Sequence, residues 1–164
     1  MRTKLILFLV FISFCAVAQK NARVTRVKDG DTFVAVWNGK AYSCRLSNID
    51  APELSQAFGV TSKDNLSNLI LGKVVALDSL KKDLYGRVLV DAWIDGMRLD
   101  SLMIRKGWAW YYTGYSKDLV LSLAMEEAVS DKLGLWSCGT NKVCPPWLYR
   151  HYNYRNRLMY CKGC

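Results

Sequence analysis

The sequence has a single histidine, His151, among its 164 residues. Catalytic schemes that need a histidine pair or a Ser-His-Asp triad are therefore disfavoured. The sequence also lacks a GxxxxGK phosphate-binding loop and an HExxH zinc motif, so nucleotide-hydrolase and zinc-protease functions have no motif to support them. It contains no internal repeat and no low-complexity segment, which argues against a repeat array.

Acidic residues are few relative to basic ones. The chain has 14 Asp and Glu against 23 Lys and Arg, which gives a formal net charge of +9. A basic surface suits a polyanionic partner. Charge alone does not separate nucleic acid from anionic lipid or a cell-wall polymer.

Long apolar runs are missing except at the start of the chain. Arg2 and Lys4 precede an apolar stretch over 5–17, and Ala16-Val17-Ala18 has the small residues of a cleavage site. A transmembrane helix needs about 18 or more apolar residues, and this stretch is shorter. We therefore predict a signal peptide over 1–18, a secreted, periplasmic or envelope location, and no transmembrane segment after cleavage.

The first half of the remaining chain has a strand-like pattern. Residues 24–36 are rich in β-branched and aromatic side chains and are interrupted by Asp29-Gly30-Asp31, which predicts two strands. Trp37-Asn38-Gly39-Lys40 predicts a type I′ hairpin, since Asn-Gly accepts the positive φ angles of that turn. Residues 41–46 would form the returning strand.

The second half alternates helical and strand-like segments. Apolar spacing predicts helices over 62–71, 99–106 and 116–133, the last capped by Ser116 and ended by Gly134, and strands over 73–80 and 87–94. This order is typical of a small barrel. We predict an α+β, mainly β fold: a five-stranded Greek-key OB-fold barrel with three helices.

Three short motifs hold charged residues suited to one chemistry. They are Asp29-Gly30-Asp31-Thr32, the segment 45–53, and Tyr85-Gly86-Arg87. Phosphodiester hydrolysis needs a hard cation held by oxygens, a group that orients or deprotonates water, and fixed positive charge on the phosphate. The residues that supply these are Asp31, Arg45, Asp50, Glu53 and Arg87.

At these motifs the chain resembles the staphylococcal nuclease family, which includes thermonuclease and micrococcal nuclease. The likeness runs from about residue 23 to residue 136, and the segments 104–107 and 134–136 also look like this family. The resemblance implies the same OB-fold architecture. We therefore place a staphylococcal nuclease-like domain at 19–137 and a Cys-rich C-terminal extension at 138–164.

Asp31 and Asp50 are the predicted metal ligands, because a Ca²⁺ ion takes carboxylate oxygens, backbone carbonyls and water in a loose shell. The resemblance adds the carbonyl of Ala51. The alternative for Asp31 is a turn carboxylate that accepts nearby N–H groups.

Arg45, Glu53 and Arg87 are the predicted catalytic residues. A guanidinium stays charged and offers parallel donors to two phosphate oxygens, and the resemblance gives Glu53 the role of orienting or deprotonating the attacking water. The alternatives are structural ion pairs, Arg45 with Asp50 and Arg87 with Asp83, and a solvated loop glutamate.

Tyr85 and Tyr115 match positions that lie beside the nucleotide in the family, where a ring can stack on a base or donate its hydroxyl to phosphate. Leu84 stands where many members have a basic residue, and Thr113 where they have a second tyrosine. These differences affect substrate affinity and base preference and leave the catalytic set intact.

Four cysteines cluster in the extension: Cys138, Cys144, Cys161 and Cys164. In an exported chain they favour two disulfides, with three pairings open. The alternative is a zinc site with Cys161 and Cys164 as one half. Cys44, on a predicted strand, would be a small buried apolar residue.

The extension is also rich in basic and aromatic side chains. They would widen a nucleic-acid contact or form a covering strap over the barrel, and the sequence favours neither. The residues are Tyr149, Arg150, Tyr152, Tyr154, Arg155, Arg157, Tyr160 and Lys162.

Taken with the motifs, the resemblance implies an exported, monomeric, calcium-dependent endonuclease. It would hydrolyse DNA and RNA, preferably unpaired, with little sequence specificity, and leave 3′-phosphate ends. One alternative is a non-catalytic OB-fold module that binds nucleic acid or another polyanion. Another is an envelope-associated polyanion-binding protein, which predicts neither nuclease activity nor calcium dependence.

Overall fold

A computed structural model describes residues 19–114 and 117–163, with side chains left out at 79 and 80. The predicted signal peptide, Tyr115, Ser116 and Cys164 lie outside the described residues.

The described residues contain five long strands and three strands of two residues each. The long strands are β1 Lys20–Val27, β2 Thr32–Trp37, β3 Lys40–Leu46, β5 Val74–Lys82 and β6 Val88–Ile94, and the short ones are β4 Ile49–Asp50, β7 Met97–Arg98 and β8 Trp110–Tyr111. In β1, Ala22 and Val24 are buried between exposed residues, and buried and half-buried residues alternate along β6, so one face of each of these strands is buried.

The long strands form a closed barrel. Strands β3, β2, β1, β5 and β6 are neighbours in that order and antiparallel. A parallel pairing of β3 with β6 joins the two ends of the sheet, with Arg45 opposite Leu89. The predicted five-stranded OB-fold barrel is therefore confirmed.

The β2–β3 hairpin has the predicted turn. Asn38 and Gly39 both have positive φ, 49° and 71°, as a type I′ turn requires. On either side of the turn, Trp37 and Tyr42 stack with ring centroids 3.6 Å apart. The turn fixes the register that puts Thr32 opposite Arg45 at the far end of the hairpin.

Three helices pack on the barrel region, close to where they were predicted. They are α1 Gly59–Ile70, α2 Leu99–Arg105 and α3 Leu119–Ser130. Within α1, Leu66 and Ile70 are fully buried against the barrel core, as their spacing predicted. No helix in the described ranges 19–114 and 117–163 is long and apolar enough to cross a membrane.

The predicted helix over 116–133 was too long at both ends. Helix α3 is capped by Asp118, whose carboxylate accepts from the N–H groups of Val120 and Leu121 at 2.9 and 3.4 Å. Lys132 has a φ of 55°, which turns the backbone out of the helix before Gly134.

The extension contains two short helices that the sequence did not predict, α4 Pro146–His151 and α5 Tyr154–Tyr160. Pro146 occupies the first position of α4, where its missing N–H costs nothing. Asn153 caps α5 by accepting from the N–H of Asn156 at 2.9 Å. Both helices are too short to show a clear apolar period.

The core fills the barrel and continues under α2 and α3. Its largest fully buried side chains are Trp136, Phe33, Leu46, Ile49, Leu66, Ile70, Leu77, Leu99, Met103, Ile104, Leu121 and Val24. Because burial of one large apolar side chain contributes about 1.5–3 kcal/mol, these residues supply much of the driving force for folding.

Cys44 lies in this core, and burial raises the pKa of its thiol to about 12. We expect Cys44 to resist iodoacetamide in the folded protein at pH 8 and to react in urea, because the thiolate is the nucleophile. Peptide mapping by mass spectrometry measures the modification. A Ser130→Cys variant, exposed at the end of α3, is the positive control, and equal native labelling of both thiols would contradict the expectation.

Candidate active site

Two of the three charged motifs, 29–32 and 45–53, meet at one end of the barrel. The turn between β1 and β2 carries Asp31, and β3 carries Arg45 opposite Thr32. The N–H of Leu46 donates to the backbone carbonyl of Asp31 at 2.9 Å. The short strand β4 then brings Asp50 to the same end.

Gly30, between Asp29 and Asp31, lies where there is no room for a side chain. A Cβ at Gly30 would collide with Ser62 of α1 and with the Cβ of Ala51. Ser62 is itself fixed, because its hydroxyl donates to the carbonyl of Trp108 at 2.7 Å. The turn therefore lies directly against α1 and the segment that follows Asp50.

Arg45 joins the two candidate metal ligands. Its Nη1 forms an ion pair with Asp31 Oδ1, and its Nη2 donates to Asp50 Oδ1 at 2.9 Å. The side chains of Asp31 and Asp50 are only 5% and 2% exposed. Two buried carboxylates thus share one guanidinium, which places their oxygens close together.

The remaining oxygen of Asp31 is also engaged. Thr32 Oγ1 donates to Oδ1 at 2.8 Å, and the N–H of Ala51 donates to Oδ2 at 2.9 Å. Burial alone would raise the pKa of Asp31, but the charge and hydrogen bond of Arg45 hold this pKa below its ordinary value. Asp31 therefore stays ionised inside the protein.

The pKa of Asp29 shifts in the opposite direction to that of Asp31. Burial, and then repulsion from Asp31, raise the pKa of Asp29 to about 7. Asp29 is therefore partly protonated near neutral pH and contributes less than a full negative charge beside Asp31. The sequence analysis had assigned no role to Asp29.

Asp50 is positioned by a second, smaller sheet and a polar network. Strand β4 pairs with β8, with Asp50 opposite Trp110. The amide of Asn48 donates to Asp91 at 3.0 Å and to Asp100 at 2.8 Å. These bonds hold the turn that leads from β3 into β4.

Glu53 lies on a compact loop after Asp50. The N–H of Glu53 donates to the side chain of Gln56 at 3.2 Å, and the N–H of Gln56 donates to the carbonyl of Glu53 at 2.8 Å. A Cβ at Gly59 would collide with that carbonyl. The backbone of Glu53 is therefore fixed while its side chain remains 40% exposed.

A second guanidinium, which the sequence analysis did not identify as a site residue, completes this cluster. Arg150 Nη1 donates to Glu53 Oε1 at 2.7 Å and to Asp50 Oδ1 at 3.3 Å, and Nη2 donates to Asp50 Oδ2 at 2.7 Å. Burial alone would lower the pKa of Arg150, but these bonds raise it above its ordinary value. No motif distinguishes Arg150 from its basic neighbours in the extension.

Arg87 is oriented differently from the other predicted catalytic residues. Its Nε donates to Asp83 Oδ2 at 2.7 Å, and its guanidinium lies 5.4 Å from the ring centre of Tyr85. The structure thus has the Arg87–Asp83 pair that the sequence left open as an alternative. Arg87 immediately precedes β6, next to the strand that carries Arg45.

Tyr85 projects into solvent with 85% of its surface exposed. Asp83 fixes the loop beneath it by accepting from the N–H groups of Tyr85 and Arg87, each at 2.9 Å. The Tyr85 ring is therefore accessible to a stacking partner, as a nucleotide-binding role requires.

The cysteines of the extension are at least partly oxidised. Cys144 and Cys161 form a disulfide, and Cys138 is disulfide-bonded as well. The first bond uses two of the four sulfurs that the alternative zinc site would need.

The donor set at the barrel end fits a calcium ion better than a softer metal. Within the described residues, no group of three or more His, Cys, Asp or Glu side chains is arranged to hold a metal ion. The available donors are the carboxylates of Asp31 and Asp50 and the carbonyl of Ala51, a mixed oxygen set that calcium accepts together with water.

Comparisons with known proteins agree with these observations. The family model "Staphylococcal nuclease homologue" matches residues 43–138. An uncharacterized endonuclease of Escherichia coli is 42% identical over 135 residues, covering 82% of this chain and 87% of the relative. One of Haemophilus influenzae is 38% identical over 136 residues, covering 82% and 76%. A micrococcal nuclease of Shigella flexneri is 31% identical over 152 residues, covering 86% of each chain.

Proposed function

This chain is a member of the staphylococcal nuclease homologue family and hence a nuclease, and from that premise we propose that it is a calcium-dependent endonuclease acting on both DNA and RNA. The observation that carries this proposal is the meeting of Asp31, Arg45, Asp50 and Glu53 at one end of the barrel, within reach of shared guanidiniums. A binding module would have no use for buried carboxylates beside a phosphate site.

Asp31, Asp50 and the carbonyl of Ala51 would hold the calcium ion. Bound there, calcium supplies a Lewis acid for a phosphate oxygen and neutralises developing negative charge. The protein contributes a buried and largely fixed set of oxygen donors, since Asp31 is held by Thr32 and Ala51.

Glu53 would orient or deprotonate the attacking water. Its backbone is fixed by Gln56, while its carboxylate is open to solvent, so a water molecule can reach it without a change of fold. Arg45 keeps its positive charge, because its pairs with the two aspartates outweigh the effect of burial and raise its pKa above the ordinary value. It would stabilise the charge that develops on the phosphate. Arg87 would do the same after leaving Asp83.

Contacts of arginines with phosphate and stacking of an aromatic ring on a base distinguish poorly between nucleotide sequences. Backbone contacts and stacking carry little base information, and Tyr85 is exposed beside Arg87 for such stacking. We propose cleavage of either nucleic acid, with unpaired strands preferred, and with departure of the 5′ oxygen and 3′-phosphate ends. We further propose export of a monomer after removal of residues 1–18, which have the pattern of a signal peptide.

The experiment is incubation of the purified protein with plasmid, single-stranded DNA and RNA, with calcium or with a chelator. We expect cleavage of all three substrates only with calcium, and products whose 3′ ends accept extension by a polymerase only after phosphatase treatment. Binding of the same substrates without cleavage would instead support the non-catalytic module. Equal cleavage with the chelator would remove the role of calcium.

A further inference from the structure

Arg150 reaches the candidate active site from outside the part of the chain that the family model matches. That match ends at residue 138, whereas Arg150 lies on α4 in the extension. Its guanidinium bridges Asp50 and Glu53, which have the proposed metal-binding and water-orienting roles. The extension therefore contributes a charged group to the site itself.

Helix α4 is held beside the site by contacts that do not involve the Arg150 side chain. Trp147 packs against Trp110 and Tyr112 with ring centroids 5.5 and 5.6 Å apart. The hydroxyl of Tyr149 donates to the backbone carbonyl of Ser55 at 3.0 Å. The first of these contacts joins α4 to β8, the strand paired with Asp50.

The end of α5 is tied to the start of α4. The Cys144–Cys161 disulfide links the two helices, and the amide of Gln56 donates to the carbonyl of Cys144 at 2.5 Å. Arg157 Nε donates to the carbonyl of Tyr149 at 2.8 Å. Because these bonds fasten the helix independently, the Arg150 guanidinium can turn while its backbone stays in place.

The charges around Arg150 favour an anion once a divalent cation is present. Asp31, Asp50 and Glu53 carry three negative charges, and Arg45 and Arg150 carry two positive ones. A divalent cation makes this group net positive, and a phosphodiester then restores neutrality. Without Arg150, the three carboxylates and Arg45 would have a net charge of minus two. A divalent cation would bring this charge only to zero and leave no positive charge for the phosphodiester.

The position of the guanidinium also suits a ligand that arrives from solvent. The Arg150 side chain is 46% exposed, whereas that of Asp50 beneath it is 2% exposed. A guanidinium fork binds carboxylate and phosphate oxygens in the same parallel geometry. Arg150 can therefore exchange its carboxylate partners for phosphate oxygens with a change of side-chain torsions alone.

We propose that Arg150 is a third phosphate-binding arginine of the active site, supplied by the C-terminal extension to the substrate phosphodiester. This inference rests on the proposed function. Before the cation binds, the same guanidinium pairs with both Asp50 and Glu53 and holds their side chains in place.

The test compares the wild-type protein with Arg150→Gln, Arg150→Lys and Arg26→Gln. Arg26 is an exposed arginine on β1, so its variant is a matched control for the loss of one arginine charge. The probe is a slowly cleaved phosphorothioate oligothymidylate with calcium, followed by fluorescence anisotropy. Calorimetric titration with calcium alone and thermal unfolding are measured on the same variants.

We expect Arg150→Gln to weaken oligonucleotide binding by about ten- to a hundredfold, the range of one charge-assisted hydrogen-bonding group. Arg150→Lys should fall between wild type and Arg150→Gln, because it keeps the charge and loses the fork. Arg26→Gln should bind nearly as wild type does. Calcium alone should bind Arg150→Gln at least as tightly as wild type, since Asp50 loses a competing cation.

The inference is wrong if Arg150→Gln, shown to be folded by a cooperative thermal transition, binds the oligonucleotide as tightly as Arg26→Gln does. It is also wrong if Arg150→Gln cleaves faster than wild type, because the Arg150 guanidinium would then block the active site instead of binding the substrate. Should the wild type bind but not cleave nucleic acid, selective loss of binding in Arg150→Gln would still support the phosphate contact, and only the hydrolytic function would fail.

Discussion

Replacement of Glu53 by glutamine is expected to lower kcat of nucleic-acid cleavage by about 10²–10⁴-fold, the usual contribution of a positioned acid or base. Glutamine keeps the size of the side chain and an oxygen that accepts from Arg150 Nη1. It cannot take a proton from water at neutral pH. The loop should keep its conformation, because Gln56 bonds to the backbone of residue 53. Steady-state cleavage of a fluorogenic oligonucleotide separates kcat from KM.

Glu126→Gln is the matched control, because Glu126 lies on the exposed face of α3 and the substitution makes the same change of charge. We expect its kcat to equal that of the wild type within about twofold, as for surface substitutions in general. If kcat of Glu53→Gln were equally unaffected, Glu53 would not act on water, and the solvated-glutamate alternative would be correct. A change in KM alone in Glu53→Gln would show that Glu53 contributes to substrate binding and not to the chemical step.

The barrel was predictable because its signals are local. A type I′ turn needs two residues that accept positive φ, and Asn38-Gly39 provides them. Leu66 and Ile70 lie four residues apart on one helical face and are both buried. The predicted start of α3 was wrong because Ser and Asp are both acceptable caps, so the sequence alone does not choose between Ser116 and Asp118.

Two segments that supported the family resemblance, 104–107 and 134–136, have a structural role. The N–H of Leu135 donates to the carbonyl of Gly107 at 2.8 Å. Gly107 and Gly134 both have positive φ. A Cβ at Gly107 would collide with the backbone of Leu133, and a Cβ at Gly134 would collide with the backbone of Gly107. This close contact places Trp136, 1% exposed, under α3. Gly107 and Gly134 are thus needed for the packing of the two segments, whereas the proposed phosphodiester hydrolysis depends on other residues.

The candidate site was only partly predictable. Asp31, Arg45 and Asp50 meet because the hairpin register and strand β4 bring them together, and their order in the sequence reflects that geometry. Arg150 lies 97 residues beyond Glu53 and has no distinctive sequence neighbourhood. Its contact depends on the docking of α4, which sequence periodicity does not encode.

Loss of the Arg45 side chain should have the largest effect on stability at the site. We expect Arg45→Gln to lower the free energy of unfolding by about 3–5 kcal/mol, the usual cost of leaving a buried charge without its partner. Arg45 is 16% exposed and pairs with two aspartates that are 5% and 2% exposed. In the variant, Asp31 and Asp50 keep their burial and lose the guanidinium they share. Urea unfolding followed by tryptophan fluorescence measures the difference.

Arg26→Gln on β1 is the control for this substitution, because Arg26 is exposed and its loss changes the net charge equally. Calcium adds a further test, since a ligand that binds only the folded state stabilises it. We expect millimolar calcium to stabilise Arg45→Gln more than wild type, because the ion would neutralise the two carboxylates that lost their arginine. A stability equal to that of Arg26→Gln would contradict the buried pairing. A calcium response no larger than that of wild type would show that these carboxylates do not hold the ion.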